Sequence, residues 1–208
     1  MSYTVLLAAG GSGGHLLPAQ QLAVMLQGEA KVVFAASGLS KNPFFEKGEF
    51  AFHDVDAAPL WPPVEFVRRG GKGFFQSLGM LREVKPDVVV GFGSYHAFPV
   101  LAAATMLRKK IVLNEANSVL GKVNRLFAPF AKVLALQFPL QKKVWARQEY
   151  VSYFPWLMQE KVLRKESLAF SGFDLSSPVC LVFGGSQGAA FLNQIAPKVL
   201  AGCQGIHC

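Results

Sequence analysis

The stretch Val5-Leu-Leu-Ala-Ala-Gly10-Gly-Ser-Gly-Gly-His15 runs from an apolar segment through four glycines toward a helical pattern, and Val179-Cys-Leu-Val-Phe-Gly184-Gly-Ser-Gln-Gly-Ala189 repeats the design near the other end of the chain. Each copy reads as the strand–turn–helix opening of a Rossmann-like domain. Its glycines let the backbone turn tightly and approach a phosphate, and the free N–H groups at the helix start favour negative charge. Two openings imply two such domains facing one another.

Between these copies, apolar runs rich in Val and Leu alternate with helical patterns, as parallel strands buried on both faces require. Strands are predicted at Thr4 to Ala8, Lys31 to Ala36, Asp87 to Val90, Lys110 to Leu113, Lys132 to Leu136 and Pro178 to Phe183. Helices are predicted at Leu17 to Leu26, Phe74 to Val84, Ala97 to Leu107, Val119 to Ala131 and Phe191 to Leu200, with Pro86 stopping the second. The fold class that follows is α/β, a doubly wound Rossmann-like parallel sheet over residues 1–155. Residues 156–208 then hold the rest of a hinge region, read over Val151 to Leu175, and the first strand–helix unit of a second, incomplete domain. A lone strand–helix pair cannot bury its faces, so the chain reads as a fragment of a longer protein, the alternative being that this last unit packs against the first domain.

Composition narrows the class. Of 208 residues, 51% are hydrophobic and 16% charged, the balance of a buried-sheet protein and far from the disordered class. Lys and Arg number 21 against 13 Asp and Glu, and the formal charge of +8 favours an anionic partner: nucleic acid, an acidic lipid surface or a phosphorylated substrate. The basic residues fall in small groups, Arg68-Arg69, Arg108 to Lys110, Lys142-Lys143 and Lys161 to Lys165, each of which reads simply as a solvated face. No helix-turn-helix pattern or stacked-aromatic strand motif supports nucleic acid. Three cysteines, Cys180, Cys203 and Cys208, are an odd number in a chain that needs no staples, and they fit a reducing compartment. Cys203, His207 and Cys208 lack a second ligand pair, so they read as a free-thiol tail and no metal is expected. No apolar run reaches the ~18 residues of a membrane span.

The glycine turns exclude the commoner nucleotide sites. A P-loop places Lys-Ser or Lys-Thr after its glycines, whereas Gly14 is followed by His15-Leu16. A dinucleotide fingerprint needs a third spaced glycine and a carboxylate after the second strand, which here ends in Ala36-Ser37.

Four segments in order, Gly10 to His15, Gly91-Phe-Gly-Ser-Tyr95, Asn114-Glu-Ala-Asn117 and Gly184 to Ala189, together resemble the MurG family of GT-B glycosyltransferases. Lys85-Pro-Asp-Val-Val and Leu192-Asn-Gln support the match. The resemblance implies an inverting enzyme of peptidoglycan synthesis. It would move N-acetylglucosamine from UDP-N-acetylglucosamine to the C4 hydroxyl of a lipid-linked muramyl-pentapeptide (lipid I to lipid II), without a cofactor or essential metal and without nucleic acid as partner. It also implies peripheral residence at the cytoplasmic face of the inner membrane. On the same warrant, Ser12, Gly13, Gly14, Gly91, Ser94 and Tyr95 hold the acceptor pyrophosphate, and Asn117 contacts the donor. Ser186, Gln187 and Gly188 hold the donor phosphates. The chain departs from the family where Ser12 replaces Thr and where Asn114 and Ala116 replace His and Gln. Phe154-Pro-Trp-Leu157 stands where the family carries an Asn-Pro-Val-Arg segment.

His15 and Glu115 are the catalytic candidates. At a helix start the dipole disfavours an imidazolium, leaving His15 a neutral ring that can act as general base or as a hydrogen-bonding anchor. Glu115, at a strand end, can steer a proton, orient a neighbour, or simply cap. His53 and His96 read as structural or surface residues. Phe74, Leu78 and Leu81 recur at helical spacing beside Phe75, Arg68, Arg69 and Lys72, a face that suits either an anionic membrane interface or the core. A non-catalytic binding module that keeps only the acceptor half is the alternative to the enzyme.

Overall fold

A computed structural model describes residues 3–59, 61–142, 144, 146–151, 164–174, 178–184 and 189–207. The chain forms two compact units, Met1–Pro155 and Trp156–Cys208.

The first unit is a seven-stranded, wholly parallel sheet: β1 (Tyr3–Ala8), β2 (Ala30–Ala36), β3 (Ala51–Asp54), β4 (Val88–Gly91), β5 (Lys110–Glu115), β6 (Val133–Leu136) and β7 (Gln148–Tyr150), in the order β3-β2-β1-β4-β5-β6-β7. The central strands are continuous apolar runs because both faces are covered. In β1, Leu6 and Ala8 enter one core layer with Leu81, Val89, Leu101 and Leu113, while Val5 and Leu7 enter the other with Leu16, Ala19 and Phe34. Phe34 anchors that second layer, its ring 5.1 Å from both Phe45 and Phe50. A side chain of this size, fully buried, stabilises by roughly 1.5–3 kcal/mol.

Helix α1 (Gly13–Met25) begins four residues before the predicted Leu17, because the glycine turn itself supplies the first helical turn, with the Ser12 carbonyl taking the N–H groups of His15 and Leu16. After β3 the chain makes the short turn α2 (Pro63–Glu65), a wider turn over Phe66–Gly70, and helix α3 (Gly71–Val84). Helix α3 stops where Lys85 takes a left-handed conformation (φ 49°) before Pro86. Its Leu78 and Leu81 are buried in the core, so the Phe74–Leu78–Leu81 face is an internal one and Phe75 alone of this group points outward, 70% exposed. Helix α4 (Phe98–Met106) matches its prediction closely. The predicted helix Val119 to Ala131 shortens to α5 (Lys122–Phe127) plus a tight turn over Ala128–Phe130. The lost N-terminal turn is a loop because the Glu115 carboxylate captures the amides of Asn117 and Gly121.

The second unit comprises α6 (Arg164–Ser171), β8 (Val179–Val182), α7 (Ala190–Val199) and β9 (Gln204–His207). One prediction is corrected here. Gln204–His207 is not a loose tail but a strand parallel to β8, tied back by Gln204, whose side chain accepts from Asp174 N (2.6 Å) and donates to Asp174 O (3.0 Å). The region read as hinge contains helix α6, while its residues 152–163, including Phe154 to Leu157, lie outside the described residues.

Candidate active site

In this strand order the connections leaving β1 and β4 run to opposite sides of the sheet, and the crevice between them is where doubly wound proteins bind ligands. The loops after β1 and β4 meet there through glycines. A Cβ on Gly10 would stand 2.8 Å from Ala36 Cβ and 2.9 Å from His96 Cβ, so only glycine allows the first loop to lie between β2 and the second loop. Gly11 has φ 88°, and its missing side chain would meet the His96 ring and Ser94 Oγ. The second loop is fixed in turn: Ser94 Oγ accepts from His96 N (3.2 Å), Ser37 N donates to His96 O (3.1 Å), and His96 Nδ1 lies 3.0 Å from Ser37 O.

The resulting cavity, of about 570 Å³, has a polar floor and an apolar wall. The floor is Gly11, Ser12 and His15 from the first turn, with Gly93, Ser94, Tyr95 and His96 from the second. The wall comes from Pro59, Trp61 and Phe66 in the connection after β3, from Phe98 of α4, and from Val123 and Leu126 of α5, with Lys122 as a cation beside them. Burial pushes the His96 imidazole below its ordinary value. The nearby charges of His15 and Arg69 push it the same way, against the Ser37 carbonyl, which favours the protonated ring.

Of the residues singled out in the sequence, Ser12, His15, Ser94 and Tyr95 thus share one cavity. Gly13 and Gly14 form the start of α1 behind them. Gly91 lies in the core, where a Cβ would press on Leu101 and Leu113 at 2.9 Å, so its smallness serves helix–sheet packing. Glu115 is buried just beyond the cavity, with N–H donors on both oxygens. Oε1 accepts from Asn117 N (3.2 Å) and Asn117 Nδ2 (2.9 Å), and Oε2 from Gly121 N (2.9 Å) and Asn124 Nδ2 (3.0 Å). An acceptor-only carboxylate matches four donors, and its work here is to shape the loop that leads into α5. Asn117 lies on that loop, exposed. Ser186, Gln187 and Gly188 lie outside the described residues; beside them, Gly184 closes on Ala189, whose Cβ would be 2.7 Å from a Cβ at Gly184.

Asn124 was missed by sequence reasoning. Fully buried, it donates to Asn114 O (2.8 Å) and Glu115 Oε2, and among the described residues its Oδ1 has no partner. The signal was present: Leu120, Val123, Asn124 and Phe127 fall at the i, i+3, i+4, i+7 spacing of a core face, and a lone amide on such a face must serve a polar network. The apolar wall was missed too, since Pro59, Trp61 and Phe66 reach the cavity only through tertiary folding.

Among the described residues no helix is long and apolar enough to cross a membrane. Two curated relatives are UDP-N-acetylglucosamine–N-acetylmuramyl-(pentapeptide) pyrophosphoryl-undecaprenol N-acetylglucosamine transferases. That of Protochlamydia amoebophila (strain UWE25) is 38% identical over 94% of this chain and 55% of its own length. That of Chlamydia trachomatis serovar L2 is 34% identical over 95% and 55%. The chain therefore spans about half the length of the curated relatives it matches. Among solved structures, Acinetobacter baumannii MurG superposes with a TM-score of 0.70 at 25% identity, over 99% of this chain and 58% of that one. Residues 5–136, which hold the whole cavity, match the glycosyltransferase family 28 N-terminal domain, and the chain belongs to that family.

Proposed function

We propose that this chain carries the acceptor half of an inverting N-acetylglucosaminyltransferase of peptidoglycan synthesis, acting with UDP-N-acetylglucosamine on a lipid-linked muramyl-pentapeptide at the cytoplasmic face of the inner membrane. The observation that carries the reading is the convergence of Ser12, His15, Ser94 and Tyr95, from two separate glycine turns, on one cavity at the sheet's switch point. The amides at the start of α1 and in the Gly93–His96 turn face the acceptor's pyrophosphate. His15 stands at the muramyl C4 hydroxyl as base or anchor. Glu115 acts at one remove, by holding Asn117 and the 117–121 loop in place. The donor's phosphates belong to the second glycine turn, with Ser186, Gln187 and Gly188, and loop amides there stabilise the charge developing on departing UDP.

The membrane-facing surface in this reading is the connection that also walls the cavity. Trp61, Val64, Val67 and Phe75 are each 70% exposed or more, and Arg68 and Lys72 lie among them, paired with Glu65 at 3.1 Å and Asp56 at 2.6 Å. An exposed apolar patch edged by solvent-facing ion pairs suits a lipid interface. It takes over the role that the buried Leu78 and Leu81 cannot fill.

The test is calorimetric titration of the chain with a soluble, short-chain analogue of the muramyl-pyrophosphoryl lipid at two salt concentrations, beside His15→Ala. Saturable binding that survives the higher salt and weakens in the variant is the expected result. Binding that collapses with salt would point instead to nonspecific phosphate attraction, and no binding, repeated in a longer chain, would reject the reading.

A further inference from the structure

The cavity holds a second imidazole, His96, which the sequence reads as a structural or surface residue. His96 Nδ1 faces the Ser37 carbonyl oxygen at 3.0 Å, and a carbonyl only accepts, so Nδ1 carries the proton. In the neutral ring Nε2 is then a bare lone pair, and among the described residues no group bonds it. The ring cannot turn this edge away, because it is stacked on Tyr95 with centroids 4.0 Å apart and held at both backbone ends by Ser37 and Ser94. The ring lines the cavity, with Gly11 beside this edge: a Cβ at Gly11 would stand 3.1 Å from Nε2 and 2.8 Å from Cδ2, so any side chain there would block it.

We infer that His96 is a substrate-binding imidazole of this cavity: its Nε2 is a fixed hydrogen-bond acceptor for a hydroxyl or amide N–H of the bound acceptor sugar, and so sets that sugar's place against His15. The inference rests on the acceptor-site reading above. Burial, with the Arg69 charge nearby, disfavours the protonated ring, as an acceptor requires. Tyr95 and Ser94 are the other polar groups packed against it, and neither supplies a negative charge that would draw a proton to Nε2. A lone pair held in place discriminates strongly, because a ligand lacking the matching donor leaves the pair desolvated and unpaired.

The experiment reads the ring directly. The chain, labelled with ¹⁵N at its histidine rings, is followed by NMR as the soluble muramyl-pyrophosphoryl analogue is added, with His96→Asn and His96→Gln titrated by calorimetry. Asparagine keeps an N–H near the Nδ1 position for Ser37 but has nothing at Nε2, whereas glutamine can place an amide oxygen there. The expected outcome is an unprotonated Nε2 in the free chain, a shift of its resonance on saturation, about tenfold weaker binding in His96→Asn, and partial recovery in His96→Gln. A protonated Nε2 in the free chain, or an unmoved resonance with His96→Asn binding as tightly as the parent, would overturn the inference while leaving the acceptor site standing. No binding by the parent chain, repeated in a longer chain, would overturn both.

Discussion

Replacing Glu115 by glutamine tests whether the 117–121 loop is held by charge or merely by shape. The substitution preserves volume but turns one acceptor oxygen into an NH₂ donor, and every neighbour of the carboxylate is itself a donor. If the new NH₂ takes the Oε2 position, it confronts the Gly121 amide and Asn124 Nδ2, the latter on a fully buried side chain. Asn124 cannot simply flip to accept, because Nδ2 also serves Asn114 O at 2.8 Å. The cheaper choice puts NH₂ at Oε1, facing Asn117, which is exposed and can turn to water. Two bonds are then lost with partial replacement by solvent, at about 1 kcal/mol each. The two that remain fall from charged to neutral strength, at about half that each. The sum is a loss of ~3 kcal/mol, reduced by whatever the neutral side chain saves in desolvation. Urea unfolding followed by circular dichroism, comparing parent, Glu115→Gln and Asn117→Ala, measures it. Glu115→Gln is expected to lose 2–3 kcal/mol and Asn117→Ala about 1 kcal/mol. A Glu115→Gln chain as stable as the parent would refute the reasoning, because it would mean that the four donors do not offset the burial of the charge.

Two further outcomes are expected. Within α3, a Cβ at Gly73 would be driven into the Asp56 carbonyl oxygen, whereas one at Gly79 meets open space; Gly73→Ala should cost about 3 kcal/mol or more and Gly79→Ala should gain ~0.5–1 kcal/mol, so thermal melts that move in the same direction would contradict the packing described here. Stability should also depend on pH through His96: above the ordinary imidazole value of about 6.5 neither state holds the proton, and as pH falls through it the unfolded chain takes up a proton that the buried native ring resists, so stability declines. His96→Asn should flatten the profile between pH 7.5 and 5, and equal slopes would count against that burial.

How much was legible depended on burial. Strands β1, β2, β4, β5 and β6 lie inside the sheet with both faces covered, and β8 carries the same Val-rich composition, so each appears as an unbroken apolar run. Strands β3 (Ala-Phe-His-Asp) and β7 (Gln-Glu-Tyr) are short edge strands with polar residues, and β9 (Gln-Gly-Ile-His) pairs with β8 alone, so none carries that signal. The site divides along a similar line. Ser12, His15, Ser94 and Tyr95 are written next to glycines whose spacing marks a turn, and a turn is a local property. His96 sits in the same turn, but its meaning depends on Ser37, 59 positions away in sequence. Asn124 depends on a carboxylate nine residues earlier that folding buries. Pro59, Trp61 and Phe66 lie between β3, which the apolar pattern did not reveal, and α3, so nothing local aimed them at the strand ends.

The cavity's two characters have separate causes, and their combination limits what it can accept. The polar floor follows from topology: parallel strands β1 and β4 lie side by side while their connections part, so two turns present backbone amides and small side chains to one crevice. Gly10 and Gly11 keep the crevice from closing, since a Cβ on either would strike His96. The apolar wall follows instead from a long connection that carries Trp61 and Phe66 over the strand ends and then spreads Val64, Val67 and Phe75 on the outer surface. A free nucleotide would satisfy the floor and leave the wall facing water. A lipid alone would satisfy the wall and leave the floor's donors unpaired. In the reading proposed above, a sugar pyrophosphate tethered to a chain of hydrocarbon would meet both at once; the outer apolar residues lie on the same segment as the inner ones, so the surface proposed to receive the hydrocarbon is continuous in sequence with the wall of the site.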